Sequence, residues 1–135
     1  MAERHTTNLT GVWQGLYSYA GQGEPTAFTA TLLETSGFFS GSTHETCLVE
    51  GRQRATLCAL VEGTRRDRSV GFVKTYDGSG GWDHSVAYAG ALNADGTEIE
   101  GEWRVRGGIS GRFLMIRPAG KAIATKRRAR VDIDA

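Results

Sequence analysis

Two pairs of adjacent histidine and carboxylate residues are the part of this sequence best suited to proton transfer. His44 is followed by Glu45, and Asp83 is followed by His84. A carboxylate beside an imidazole can fix its tautomer and raise its pKa, which suits a general acid or base. Adjacent residues of a strand point to opposite faces, so neither pair is a dyad by sequence alone. The candidate catalytic residues are His44 and His84. They would act together if the fold brought them to opposite sides of one site.

Aromatic residues form a second group, suited to binding. Trp13, Tyr17 and Tyr19 are separated by even intervals, so in a strand they share one face. Trp82 lies in a glycine-rich segment where packing does not require a tryptophan. An apolar cup with a few polar groups is typical of small-molecule sites. The predicted ligand-binding residues combine aromatic side chains with the two histidines: Tyr17, Tyr19, Phe28, His44, Tyr76, Trp82, His84 and Trp103.

The elements that position these residues are predicted to be short strands. The strand signals cover residues 10–18, 27–34, 38–44, 55–62, 69–76, 85–91, 98–106 and 108–117. Short turns rich in Asn, Asp and Gly make neighbouring strands antiparallel. Eight such strands leave two open edges unless the first and last pair. We therefore predict an all-β fold, an eight-stranded antiparallel up-and-down β-barrel over residues 10–117, between an N-terminal arm (1–9) and a basic C-terminal tail (118–135).

An up-and-down strand order assigns alternate connections to opposite ends of the barrel. Residues 21–25, 46–54 and 78–81 are expected at one rim, which we take as the mouth. Residues 35–37, 63–68 and 93–97 are expected at the other rim. The predicted binding residues converge on the mouth. An eight-stranded barrel is narrow enough to be filled by side chains, however, so core packing is the favoured interpretation of Tyr17, Phe28 and Trp103.

Two stretches of the sequence resemble the calycins, the superfamily of lipocalins, fatty-acid-binding proteins and avidins. Gly11-Val12-Trp13 is similar to the glycine-x-tryptophan signature of their first strand, and residues 88–103 are similar to the late hairpins of small calycin barrels. The resemblance implies that Trp13 is a structural plug at the closed end, with a basic residue of the last strand over it. The antiparallel strand directions bring Arg117 to that position. Residues 74–77 depart from the second lipocalin motif, so no ligand is implied.

Composition narrows the classes of partner and cofactor. The 135-residue chain has a formal net charge of +1, which argues against a large nucleic-acid interface, and it lacks the apolar run of a signal peptide or membrane span. We therefore expect a cytoplasmic protein with reduced thiols. The spacing of Cys47 and Cys58 matches no zinc motif, and we expect neither metal nor cofactor. The basic residues between 121 and 130 predict a solvated tail or short helix, with an anionic surface as the alternative partner.

These observations leave three hypotheses for the function. The first, which we favour, is a non-enzymatic binding protein that holds a small apolar or amphipathic molecule in the mouth of the barrel. The second is a small barrel enzyme of the cyclase, isomerase or hydrolase kind, with His44 or His84 as the acid-base group. The third is an oligomeric scaffold with a filled barrel. Residues 55–61 are apolar on both strand faces, so we expect a partner subunit of the same chain to cover the outer one.

Overall fold

The fold is a closed β-barrel, as predicted. The computed structural model describes residues 8–20, 24–49, 53–78 and 84–118, with side chains described except at 46–49 and 53–55. Every described strand pairs antiparallel with its chain neighbours, and the first pairs with the last. No helix within these ranges is long and apolar enough to cross a membrane. The strands are β1 (Gly11–Tyr19), β2 (Thr26–Thr35), β3 (Phe38–Val49), β4 (Gln53–Arg66), β5 (Ser69–Tyr76), β6 (Ser85–Leu92), β7 (Glu98–Arg104) and β8 (Ser110–Ile116).

Alternation along each strand builds the core inside the barrel. On β5, for example, every second residue from Val70 to Tyr76 is buried, while the residues between them are partly or fully exposed. The ring of Phe72 stacks on Tyr88, with centroids 4.6 Å apart and an interplanar angle of 8°. Phe113 meets Tyr88 edge to face at 4.9 Å. Aromatic rings of β5, β6 and β8 therefore fill the middle of the barrel.

The hairpin of β3 and β4 is longer than the sequence suggested. The expected loop at residues 46–54 is wrong, because the ladder continues to Val49 opposite Gln53. The expected loop at 63–68 is also wrong, because β4 runs on to Arg66 and turns at Asp67, which has φ 55°. Backbone pairing alone can continue a ladder, so the polar residues in these segments do not end the strands. In this register Cys58 lies opposite His44, so the two cysteines are not cross-strand neighbours.

Glycines allow a close approach of strands and rings in the narrow barrel. A Cβ atom at Gly101 on β7 would lie 2.0 Å from the Ala89 carbonyl oxygen on β6. At Gly111 on β8 it would lie 1.8 Å from the Ser18 carbonyl oxygen and 2.7 Å from the Trp103 ring. The two carbonyl oxygens are backbone atoms of paired strands, which cannot move aside without disturbing the ladder. These positions therefore fix the spacing of β6, β7, β8 and β1.

We expect Gly101→Ala to destabilise the barrel by about 1–3 kcal/mol, because the added methyl overpacks a strand contact. The matched control is Gly71→Ala on β5, where the nearest atom to a built Cβ is 3.8 Å away. This control is expected to be neutral or slightly stabilising, since alanine restricts the unfolded chain. Urea unfolding of both variants measures the difference. Equal effects of the two substitutions would contradict this account of Gly101.

One end of the barrel is closed by Trp13 and the residues around it. The Arg117 guanidinium lies 4.4 Å from the Trp13 ring centroid, and the ring nitrogen donates to the Leu9 carbonyl at 2.9 Å. Arg117 also donates to the carbonyls of Asn8, Thr10 and Gly96. Leu9 is fully buried, although the sequence assigned it to the N-terminal arm. The segment before β1 is thus part of the closed end.

An ion pair between Arg65 and Glu34 stabilises the same end of the barrel. Arg65 donates to both carboxylate oxygens of Glu34 at 2.7–3.0 Å, and the Leu9 backbone amide donates to Glu34 at 2.9 Å. Burial opposes ionisation of Glu34, but these hydrogen bonds outweigh it and lower the pKa of the carboxyl below its ordinary value of 4.5. The Glu34 carboxylate therefore joins β2, β4 and the segment that precedes β1.

Because the pKa of Glu34 falls on folding, this carboxylate adds stability that is complete above pH 4.5 and is lost as the pH drops through the folded-state value. We expect Glu34→Gln to lower the free energy of unfolding at neutral pH. We also expect this free energy to fall less steeply with decreasing pH in the variant than in the wild type. Thermal unfolding between about pH 7 and about pH 3 measures both effects. The control is Glu100→Gln, at a carboxylate that is 64% exposed. Identical acid profiles for wild type and Glu34→Gln would contradict the assignment.

Candidate functional site

A lysine and a glutamate form an ion pair inside the barrel. Lys74 points inward from β5 and Glu45 points inward from β3. The Lys74 Nζ lies 3.3 Å from Glu45 Oε1, and the two side chains are 1% and 0% exposed. Charged residues are almost never buried this completely unless they are paired. The pairing satisfies each charge, but it does not remove the free-energy cost of taking both out of water.

Two tyrosines complete the hydrogen bonding of the glutamate. The Tyr17 hydroxyl donates to Glu45 Oε2 at 2.5 Å, and the Tyr76 hydroxyl donates to Oε1 at 2.9 Å. Burial, together with the negative charge of Glu45, raises the pKa of both phenols, so both stay protonated as donors. One carboxylate thus accepts hydrogen bonds from three buried side chains. We call Tyr17, Glu45, Lys74 and Tyr76 the polar cluster.

Aromatic rings enclose the ammonium group of Lys74. Its Nζ lies 4.8–5.3 Å from the centroids of four rings, those of Tyr17, Phe28, Tyr76 and Tyr88. The negative faces of these rings favour the cation. Burial nevertheless lowers the pKa of Lys74, and the charge of Glu45 opposes that shift. The lysine is therefore easier to deprotonate than an exposed lysine.

The polar cluster lies close to the end of the barrel opposite Trp13. Lys74 is paired with Val86, the second residue of β6, and Tyr76 is the last residue of β5. On β1, Tyr17 is followed on the same face by Tyr19, the last residue of that strand. The cluster thus reaches the end of β5 at Tyr76, and on β1 only Tyr19 separates it from the end of the strand. The cluster occupies the layer directly below the rim that the sequence assigned to the mouth.

Tyr19 and Trp103 form an aromatic pair at this rim. Tyr19 is 40% exposed, and its ring meets Trp103 edge to face with centroids 5.0 Å apart. Trp103 is buried, and its ring nitrogen donates to the Ser18 carbonyl at 3.0 Å. The ring of Tyr17 lies 6.1 Å from Trp103, which connects this pair to the polar cluster below. The rim thus presents one accessible ring backed by two buried ones.

Of the predicted site residues, His44 lies on the wrong face for the mouth. Its side chain is exposed on the outside of β3, and the next residue, Glu45, points inward instead. Phe38 and Phe39 give the physical reason, since two adjacent apolar residues do not define which strand face is buried. Phe39 is buried and Phe38 is 69% exposed, which assigns the odd-numbered residues of β3 to the interior. The predicted approach of His44 and His84 across the mouth therefore does not occur.

The other predicted residues fall into three groups. Tyr17, Phe28 and Tyr76 converge around Lys74, and none of them is more than 6% exposed. His84 precedes β6 and packs against Tyr76, with ring centroids 5.1 Å apart, so it lies beside the cluster at the rim. Trp82 lies outside the described residues. Sequence reasoning missed Glu45 and Lys74, although Lys74 is two residues from Tyr76 and so shares its face.

A depression of about 660 Å³ opens beside β2 and β3. Its lining includes Glu24, Thr29 and His44, together with the inward residues Phe28 and Glu45. Within the described ranges, no group of three His, Cys, Asp or Glu residues could hold a metal ion. Of the charged pair, Glu45 borders this depression and Lys74 does not.

Comparison with known proteins identifies the fold and not the family. No family model matches the chain, and no curated protein matches it. Among solved structures, a redesigned β-barrel is similar, with a TM-score of 0.66 and 15% sequence identity over 85% of this chain and 96% of that one. At this identity the likeness extends to the architecture alone. The chain is an eight-stranded antiparallel β-barrel.

Substitutions at Glu45 and Lys74 are expected to have non-additive effects on stability, because each charge stabilises the other. Glu45→Leu leaves the Lys74 charge unpaired among aromatic rings and is expected to cost about 3–5 kcal/mol. Adding Lys74→Met removes that charge, so the double variant should be more stable than Glu45→Leu alone. Urea unfolding of the single and double variants measures the coupling.

The control for this cycle is the surface pair of Arg112 and Glu102, whose charged atoms lie 3.8 Å apart with both side chains more than 60% exposed. Replacing Arg112 by Met should change stability by less than about 1 kcal/mol. The account of the buried pair fails if the effects of Glu45→Leu and Lys74→Met simply add.

Proposed function

We propose that this protein binds a small amphipathic molecule at the open end of its barrel. The apolar part of the molecule contacts the aromatic pair of Tyr19 and Trp103, and its polar part reaches the polar cluster below. The observation that carries this proposal is the position of the Lys74 and Glu45 ion pair, one layer beneath an accessible aromatic rim. Binding without turnover is the function we favour.

The energetics of the ion pair support a role in binding. A buried ion pair is weak evidence for stability, since a well-packed apolar replacement is often as stable or more stable. The closed end also holds a charged pair, Arg65 and Glu34, but its arginine is 16% exposed, whereas neither side chain of the Lys74 and Glu45 pair is more than 1% exposed. Groups with strongly perturbed pKa values concentrate at functional sites. A fully buried charged cluster one layer below the open end is therefore better explained by a ligand than by folding.

Thr43 is a further buried polar residue near the polar cluster. It precedes Glu45 by two residues on the inner face of β3 and is buried. Its Oγ1 has no hydrogen-bond partner among the described residues. A buried hydroxyl without a partner is unfavourable, and a polar ligand atom at the cluster could satisfy it. This supports a ligand with a polar end.

We further propose that the chain is a calycin-type binding barrel. The contact of Arg117 with Trp13 at one end and the aromatic rim at the other support this assignment. Self-association through the outside of β4 and β5 is part of the proposal. Leu60 and Val73 are 63% and 46% exposed there, and a second copy of the chain would cover them. Sedimentation tests this, and a strict monomer would exclude it.

Native mass spectrometry of protein purified from its own host tests the binding function. We expect a co-purified small molecule on the wild-type chain. Tyr19→Ala should weaken its binding about tenfold, because the substitution removes the accessible ring. Val12→Ala is the matched control, since Val12 is exposed on the opposite face of the same strand. A wild-type protein that carries no ligand, or an equal effect of the two substitutions, would count against the site.

A further inference from the structure

We propose that Lys74 forms a reversible imine with a conjugated or aromatic aldehyde, so that the barrel holds its ligand covalently. The geometry consists of a buried primary amine 3.3 Å from a carboxylate oxygen and surrounded by four aromatic rings. This inference rests on the proposed function, because the aldehyde must first bind at the open end. It names the chemical class of the ligand and the residue that reacts with it.

The surroundings of Lys74 suit an amine nucleophile. An amine attacks a carbonyl only in its neutral form, and enclosure in an apolar site favours that form. Burial lowers the pKa of Lys74, in line with this geometry. Glu45 Oε1 lies within reach of Nζ and can accept the proton that the ammonium releases. The amine and its base are therefore already in contact.

The charge of the polar cluster selects a neutral carbonyl over an anionic ligand. Lys74 is already neutralised by Glu45, so a carboxylate or phosphate placed beside it would leave an excess negative charge in a buried site. An aldehyde brings no charge. The iminium that forms carries the same single positive charge as the lysine it replaces, opposite the same Glu45 carboxylate. Formation of the imine thus leaves the electrostatics of the site unchanged.

The reaction needs only Lys74, Glu45 and the aldehyde. The Lys74 ammonium transfers a proton to Glu45, and the nitrogen lone pair forms a bond to the aldehyde carbon. One proton then moves from the nitrogen to the former carbonyl oxygen, which gives a carbinolamine. The resulting hydroxyl takes up the Glu45 proton, the carbon–oxygen bond breaks, and water leaves. A protonated imine and the Glu45 carboxylate remain, so one water is released and no oxidant or reductant is needed. Hydrolysis reverses each step and frees the ligand.

The ring arrangement favours a flat, conjugated aldehyde. Tyr17, Phe28, Tyr76 and Tyr88 surround the nitrogen, and aromatic faces and edges pack well against another planar group. Tyr76 is the last inward residue of β5, between Lys74 and the end of the strand. An aldehyde entering from the rim passes Tyr19 and Trp103 before its carbonyl carbon reaches Lys74. The apolar part then remains at the aromatic rim.

Reductive trapping tests the inference on the full chain. The protein is incubated with trans-cinnamaldehyde and cyanoborohydride, digested, and mapped by mass spectrometry. The chain contains three lysines, at positions 74, 121 and 126, so the other two are internal comparisons. We expect Lys74 to be modified at least about tenfold faster than these two lysines, because its enclosure favours the neutral amine and Glu45 is in place to accept the proton. Modification of Lys74 at or below their rate would overturn the proposal.

Matched reagents and variants separate the imine from binding itself. Cinnamyl alcohol has the same apolar part but forms no imine, so it should bind by calorimetry and slow the trapping of Lys74. Lys74→Met should lose the adduct, and Glu45→Gln should slow its formation and change its pH profile, because no carboxylate is left to carry the proton. Near-ultraviolet circular dichroism checks that both variants fold. If either does not, competition by cinnamyl alcohol in the wild-type protein decides the question.

The possible failures are distinguishable. Binding of cinnamyl alcohol without preferential modification of Lys74 overturns the imine and leaves the proposed binding function standing. Failure of both the alcohol and the aldehyde to bind overturns the imine and removes this ligand class from the proposed function. An adduct at Lys74 that forms at the same rate in Glu45→Gln overturns the role of Glu45 as the base.

Discussion

Pairing between β1 and β8 is the constraint on which the rest of this structure depends. It closes the sheet, removes both open edges and sets the width of the interior. A barrel of eight strands has just enough room for its own side chains, so each inward position affects its neighbours across the lumen. Glycines at the contacts of β6, β7, β8 and β1 allow this closure, because paired backbone atoms occupy the space of a Cβ.

Within that closed wall the two ends have different chemistry. At one end charged groups lie at the edge and hold the chain together, with Arg117 over Trp13 and Arg65 on Glu34. At the other end the charges lie inside, where Glu45 accepts hydrogen bonds from a lysine and two tyrosines. The two arginines at the edge are partly exposed, although the Glu34 side chain is buried, and they hold neighbouring segments together. Charges inside are desolvated. Desolvation raises the free-energy cost of burying them, and it makes Lys74 easier to deprotonate.

The sequence shows which face of a strand is buried only where apolar and polar residues alternate clearly. The candidate site depends on β3, which lacks this alternation. Alternation on β1 and β5 placed Tyr17 and Tyr76 correctly. On β3 the adjacent Phe38 and Phe39 left two registers open, and a shift of one residue exchanges His44 for Glu45 in the interior. The spacing from Tyr76 puts Lys74 on the inner face, but the sequence analysis missed it, because a lysine is not expected in a core until its partner is known.

The sequence by itself determined the fold class, the strand order and the closed end, because turn chemistry and alternation are local and repeat along the chain. It did not determine the length of the β3 and β4 hairpin, which backbone pairing extends through polar residues. Only the tertiary structure decided the site. Glu45 and Lys74 lie 29 positions apart on strands that are not neighbours, and only closure of the barrel brings their charges within 3.3 Å.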